Sequence, residues 1–145
     1  MKALVIFDSN FGNTKKIAKT IAEKLETDTK VLSVSDFNIK ELEGIKLLVV
    51  GSPVNAWRPT EKILKFLADL SEDCLKGIKA ASFDTKMRSF LSGDASKKIS
   101  RKLEKAGAEI VVEPQAFIVK GSKGPLFDGE IEKAEKWAAS IKNAL

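Results

Sequence analysis

Short, almost wholly apolar runs alternate with amphipathic helical stretches along the whole chain, and few architectures accommodate that alternation. "ALVIF" (residues 3–7) is continuous and rich in branched side chains, as expected of a strand buried on both faces. Ile17, Ile21, Ala22 and Leu25 then recur at helical spacing, with lysines falling between them. "KVLSV" (30–34) predicts a second strand, and "IKLLVVGS" (45–52) a third that ends on Gly51. Residues 60–70 place Ile63, Leu64, Phe66 and Leu67 on one helix face, and "IKAASF" (78–83) predicts a fourth strand. "DASKKISRKLEKAG" (94–107) predicts a helix with Asp94 as N-cap and Gly107 in the left-handed position past the last turn. "EIVVEPQAFIV" (109–119) predicts a fifth strand, bent or interrupted at Pro114 and therefore at an edge. A last helix over about 129–143 buries Ile131, Ala134, Ala138 and Ile141 beside Trp137.

Strand–helix alternation with short links implies an α/β domain built on a parallel sheet. Right-handed crossovers then put helices on both faces, a three-layer sandwich. Five strands suit the order 2-1-3-4-5. The link from strand 2 to strand 3, "SDFNIKELEG" (35–44), leaves room only for a short helix. At 145 residues the chain fits one such domain, spanning 1–145, with a full hydrophobic core. No apolar run approaches the ~20 residues of a membrane helix. The opening "MKALVIFDS" is too short in its apolar part for a signal peptide, so the expectation is a mature, cytoplasmic chain without a membrane partner.

Several chemistries are excluded by composition. The chain has no histidine, which removes His-based triads, general bases and metal ligands. Cys74 is the single cysteine, so no intramolecular disulfide, Cys-type zinc site or iron–sulfur cluster is available. Tyrosine is absent as well. The formal net charge of +5 invites a nucleic-acid reading. However, the lysines alternate with glutamates, as in "KTIAEKLE" and "EIEKAEKW", which is the spacing of charge pairs on solvated helix faces. No nucleic-acid partner is expected.

In a doubly wound sheet, ligands collect outside the C-terminal strand ends where the strand order reverses, here between strands 1 and 3. The loops at that point are "DSNFGNT" (8–14) and "GSPVNAWRP" (51–59), with "DTKMRSFLSG" (84–93) as a third wall. Ser9, Asn10, Asn13 and Thr14 offer side-chain donors, and Gly12 lets the backbone turn tightly next to an anion. The helix starting near Asn13 adds free amides and the positive end of its dipole. Alternatively, Ser9, Asn13 or Thr14 simply caps that helix. Neither the triphosphate pattern GxxxxGK[ST] nor the dinucleotide pattern GxGxxG is present, so a monophosphate fits best.

"SNFGNT" resembles the flavodoxin phosphate loop, [ST]-x-[TYF]-G-x-T, placed directly after a hydrophobic first strand. "GSPVNAWRP" is similar to the second flavin loop of that family. The resemblance covers essentially the whole chain, and "FDTK" with the tail from Phe117 is closest to small stand-alone members. It implies the flavodoxin-like fold and non-covalently bound FMN. Carried over by position, Ser9, Asn10, Phe11, Gly12, Asn13 and Thr14 would hold the phosphate. Pro53, Val54, Asn55, Ala56 and Trp57 would border the isoalloxazine ring. Asp84, Thr85, Lys86 and Met87 would approach from the other side, with Phe90 as a second stacking ring.

Three departures from the family pattern stand out. Many members carry an aromatic two positions before Trp57, where this chain has Asn55; an extended loop would put 55 and 57 on one side, so Trp57 would stack instead, or else plug the start of the next helix. The usual outer tyrosine is missing, leaving Phe90 or Met87 to replace it or that face open. Electron-carrying flavodoxins are generally acidic, whereas this chain is basic, with Arg58, Lys86 and Arg88 expected near the ring, where they would raise the flavin potential and favour acidic partners. The resemblance implies an electron carrier between redox partner proteins, monomeric or weakly dimeric. The alternatives are a small NAD(P)H-dependent quinone reductase, or a binding module of the same fold that has lost its flavin. A receiver domain is set aside, because Gly51-Ser52-Pro53 occupies the place of its phosphoacceptor aspartate.

Overall fold

The apolar runs build a parallel sheet in a computed structural model that describes residues 2–88 and 94–145. The strands are β1 (Lys2–Phe7), β2 (Asp28–Ser33), β3 (Ile45–Pro53), β4 (Lys79–Met87), β5 (Glu109–Ile110) and β6 (Gln115–Val119). Their order is β2-β1-β3-β4-β5, with β6 also paired to β4. In register, Val5 lies opposite both Val31 and Val49, and Val49 opposite Ala81. The expected order is therefore the observed one.

Alternation along each strand divides the core into two layers. Ala3, Val5, Phe7, Leu47, Val49, Ala81 and Phe83 face α1 (Asn13–Leu25) and α4 (Glu130–Asn143). Leu4, Ile6, Leu48, Val50 and Ala80 face α2 (Glu61–Ala68) and α3 (Ser96–Lys105). Each helix buries an apolar stripe: Ile17, Ile21 and Leu25 on α1, Ile63, Phe66 and Leu67 on α2, Ile99 and Leu103 on α3, and Ala134, Ala138 and Ile141 on α4, while Ala22, Leu64 and Ile131, also expected there, are only partly buried. Gly51 lies so close to the Phe83 ring that a Cβ there would come within 2.0 Å of it.

Three details differ from the sequence expectation. The stretch 35–44 forms two short 3-10 turns, Val34–Asp36 and Ile39–Leu42, rather than one helix. β4 runs four residues beyond Phe83, held by β3 on one side and β6 on the other. The fifth strand is two segments: Lys79 and Ala80 pair with β5, and Phe83 to Met87 pair with β6. Pro114 has no amide to donate across the break. The Trp137 indole N–H donates to the Glu113 carbonyl there at 3.1 Å, which satisfies an acceptor the ladder leaves over. Gly107 does take the left-handed conformation, at φ 105°.

Candidate functional site

The loop after β1 is held by its first residue. The Asp8 carboxylate accepts the Ser9 amide at 3.0 Å and, through its other oxygen, the Thr60 hydroxyl at 2.6 Å. Thr60 also caps α2 by accepting the Ile63 amide, and its own amide donates to Ser52 Oγ at 3.1 Å. One carboxylate thus joins the ends of β1 and β3 to the start of α2. Within the loop, Ser9 Oγ accepts the Gly12 amide at 2.9 Å, and Gly12 turns the chain at φ 92°. Among the described residues no side chain caps α1, so its first amides remain available to an anion. The residues that offered a capping alternative are engaged elsewhere. Asn13 Nδ2 donates to the Lys123 carbonyl at 3.3 Å, and the buried Thr14 hydroxyl lies 2.9 Å from that of Thr85.

The second loop is a tight turn, which corrects the expectation of an extended one. The Asn55 amide donates to the Arg58 carbonyl at 2.8 Å and the Arg58 amide to the Asn55 carbonyl at 3.2 Å. Between them Ala56 and Trp57 take φ of 50° and 66°. Two successive positive φ values define a type I′ hairpin, a conformation that costs any residue with a Cβ. Lys98 Nζ donates to the Trp57 carbonyl at 3.2 Å, and the indole stands 55% exposed at the mouth of a cleft.

That cleft measures about 490 Å³ and lies over the C-terminal ends of β1, β3 and β4. Ser9, Asn10, Phe11, Asn13 and Thr14 form one wall, Pro53 to Trp57 the second, and Thr85, Lys86 and Met87 the third. The polar side chains of Ser9, Asn10, Asn13 and Thr14 and the apolar ones of Val54, Trp57 and Met87 share the lining. Val119 and Ser122 complete the lining, and neither was anticipated from sequence.

Asp84 is not on that lining. It is fully buried on the opposite face of β4, and its Oδ2 accepts the amides of Ala95 and Ser96 at 3.0 and 2.8 Å, which organises the start of α3. Among the described residues its Oδ1 has no partner. Burial pushes its carboxyl above the usual range, against the pull of the Ser96 and Ala95 amides. Asp94, expected as a cap, accepts the Lys97 amide at 3.2 Å. Its partial burial is outweighed by the Lys97 amide, the Ser96 hydroxyl and the Lys97 charge, which hold its carboxyl low. Of the three expected cations, only Lys86 lines the cleft: Arg88 stacks on Phe127 at 4.4 Å and Arg58 reaches Glu61 at 3.7 Å. Phe90 lies outside the described residues.

Among the described residues no group of three or more carboxylate or cysteine side chains is placed to hold a metal. No helix among them is long and apolar enough to cross a membrane.

Comparison with known proteins places this cleft in context. The family model for flavodoxin matches residues 5–137. An uncharacterised protein of Methanocaldococcus jannaschii is 31% identical, with 97% of this chain and 98% of that protein aligned. A flavodoxin of Aquifex aeolicus is 36% identical over 50% of this chain and 41% of its own length. Oxidised flavodoxin 1 of Bacillus cereus superposes with a TM-score of 0.85 at 24% identity, covering 100% of this chain and 99% of that one.

Proposed function

Because the chain belongs to the flavodoxin family, whose members bind FMN, we propose that it holds FMN in this cleft and passes electrons between redox partner proteins. The observation that carries the reading is the cleft itself, which brings the start of α1, without a side-chain cap among the described residues, together with Val54, Trp57 and Met87. A volume of about 490 Å³ lies within the range of ligand pockets, and the donor set suits a phosphate joined to a flat apolar ring.

When bound, FMN would supply the one- and two-electron chemistry, and the protein would supply anchoring and electrostatics. The Gly12 turn and the first amides of α1 would take the phosphate, with the hydroxyls and amides of Ser9, Asn10, Asn13 and Thr14 around it. Asp8 and Thr60 keep that loop in place without touching the cleft. The Asn55–Arg58 hairpin presents Ala56 and Trp57 to one side of the ring site, and Thr85, Lys86 and Met87 bound the other. No side chain is required as an acid or base in this reading, and the described residues on the cleft lining include no histidine, cysteine or carboxylate.

The formal net charge of +5, with Lys86 on the cleft lining, favours acidic partner proteins. The test is uptake of FMN by the purified protein, followed by its absorption bands and the quenching of its fluorescence. One tightly bound FMN per chain is expected, together with slow reduction by NAD(P)H and rapid exchange with protein partners. A colourless protein that ignores added FMN would sink the reading, and fast direct reduction by NAD(P)H would replace the carrier with a reductase.

A further inference from the structure

The glycine-rich segment "GSKGPLFDGE" (121–130) contributes Ser122 to the cleft lining, and its tip meets the phosphate loop through Asn13 and Lys123. We propose that the hairpin over 120–126 is a fourth wall of the flavin site and reads its phosphate end, Lys123 contributing positive charge and Ser122 a hydroxyl. The proposal rests on the FMN reading above.

The hairpin is a built element. Lys120 donates its amide to the Pro125 carbonyl at 2.8 Å, Gly124 to Gly121 at 2.9 Å, and Phe127 to Ile118 at 3.0 Å. Its stem is tied to the end of β6 by a bridge between Val119 and Leu126. Three contacts then direct the tip at α1. The Asn13 side-chain amide donates to the Lys123 carbonyl at 3.3 Å. Lys123 Nζ lies 5.9 Å from the centre of the Phe11 ring, so the ammonium is held over the phosphate loop. Ser122 lines the cleft itself. Gly124 turns at φ 96°, a conformation that favours glycine, and a Cβ there would fall 2.6 Å from Asn13 Oδ1, so that side chain would have to shift.

A loop that only covered the sheet edge would have no need of this fit. Among the described residues no carboxylate forms an ion pair with Lys123, so its charge is not neutralised within the protein. An ammonium near a helix N-terminus is unfavourable alone, because both are positive. A dianionic phosphate between them reverses the sign of that interaction.

FMN and riboflavin differ only in the phosphate, so the pair isolates this contribution. Both are titrated by fluorescence quenching into the apo form of the wild type, Lys123→Gln, Lys123→Arg and Ser122→Ala. Lys123→Gln is expected to weaken FMN roughly three- to tenfold and riboflavin less than twofold. The loss should shrink in high salt, and Lys123→Arg should restore the preference for FMN. Ser122→Ala should weaken FMN selectively as well. Unchanged FMN affinity in Lys123→Gln, or equal weakening of both flavins, would overturn the proposal while leaving the flavin reading intact. A wild type that takes up neither flavin would overturn both.

Discussion

The Thr14 and Thr85 hydroxyls meet 2.9 Å apart in a buried contact between the first turn of α1 and the end of β4. Replacing Thr85 with valine keeps the shape and leaves the Thr14 hydroxyl buried without that partner, which costs about 1–3 kcal/mol. Thr85→Val should lower the urea midpoint accordingly, and Thr85→Ser should retain most of the stability; a valine variant as stable as wild type would show the contact to be idle. One residue away, Asp84 makes a different prediction. Its folded pKa is raised from 3.8 by burial, chiefly, and also by the charge of Asp94. Below that unfolded value the carboxyl is protonated in both states and the term is fully favourable. As pH rises through the folded value, the folded protein must ionise a buried group and the stabilisation is lost. The stability of the wild type relative to Asp84→Asn should therefore fall as pH rises from about 3 and then level off; a difference independent of pH, in urea melts, would refute it. Asp94 interacts with Asp84, so its own titration changes in Asp84→Asn and contributes to the difference. These two neighbours also show what was legible. The apolar run of the fourth strand stops at Phe83, so its periodicity does not reach Asp84, on the α3 face, or Thr85, on the α1 face.

At the scale of elements, the Asn55–Arg58 hairpin holds two residues with side chains where its turn type favours asparagine and glycine. Each pays roughly 1–2 kcal/mol for the left-handed conformation. Ala56→Gly should relieve one of them and, after the greater entropy of glycine in the unfolded chain, raise stability by about 0.5–1 kcal/mol, read as a higher thermal midpoint. An unchanged or lower midpoint would mean that the neighbouring walls, rather than the turn, fix this geometry. Apolar spacing had located the strands and helices, because a buried stripe leaves a periodic mark. It left the hairpin unseen: "NAWR" carries no glycine, and nothing local in the sequence announces a two-residue turn. The hairpin over 120–126 escaped for another reason. Its glycines were visible, but the contact between Gly124 and Asn13 joins residues far apart in the chain, and one sequence holds no record of that pairing.

For the molecule as a whole, sheet order brings the β1, β3 and β4 ends together, and strand–helix alternation was enough to anticipate it. Net charge is a property at the same scale, and it separates this chain from acidic carriers. Lys86 brings one positive charge to the cleft lining, while Lys98 and Lys123 are held at its rim by Trp57 and Phe11. Positive charge favours the addition of electrons, so Lys86→Gln should lower the FMN midpoint potential by about 10–40 mV, the equivalent of the roughly 0.2–1 kcal/mol of an exposed charge interaction. A potential that does not move would place the ammonium too far from the ring to matter. The same charges set the choice of partner over longer distances. With 25 basic against 20 acidic residues, the chain should meet an acidic electron acceptor faster than a basic one at low ionic strength. Raising the salt shortens the Debye length from about 30 Å at 0.01 M to about 8 Å at 0.15 M, so the advantage should fade across that range. Stopped-flow oxidation of the reduced protein by one acidic and one basic acceptor of matched potential measures this directly. The rate with the acidic acceptor should fall severalfold with salt while the rate with the basic one rises; the reverse pattern would mean that a local acidic patch, and not the overall charge, governs docking at the flavin mouth.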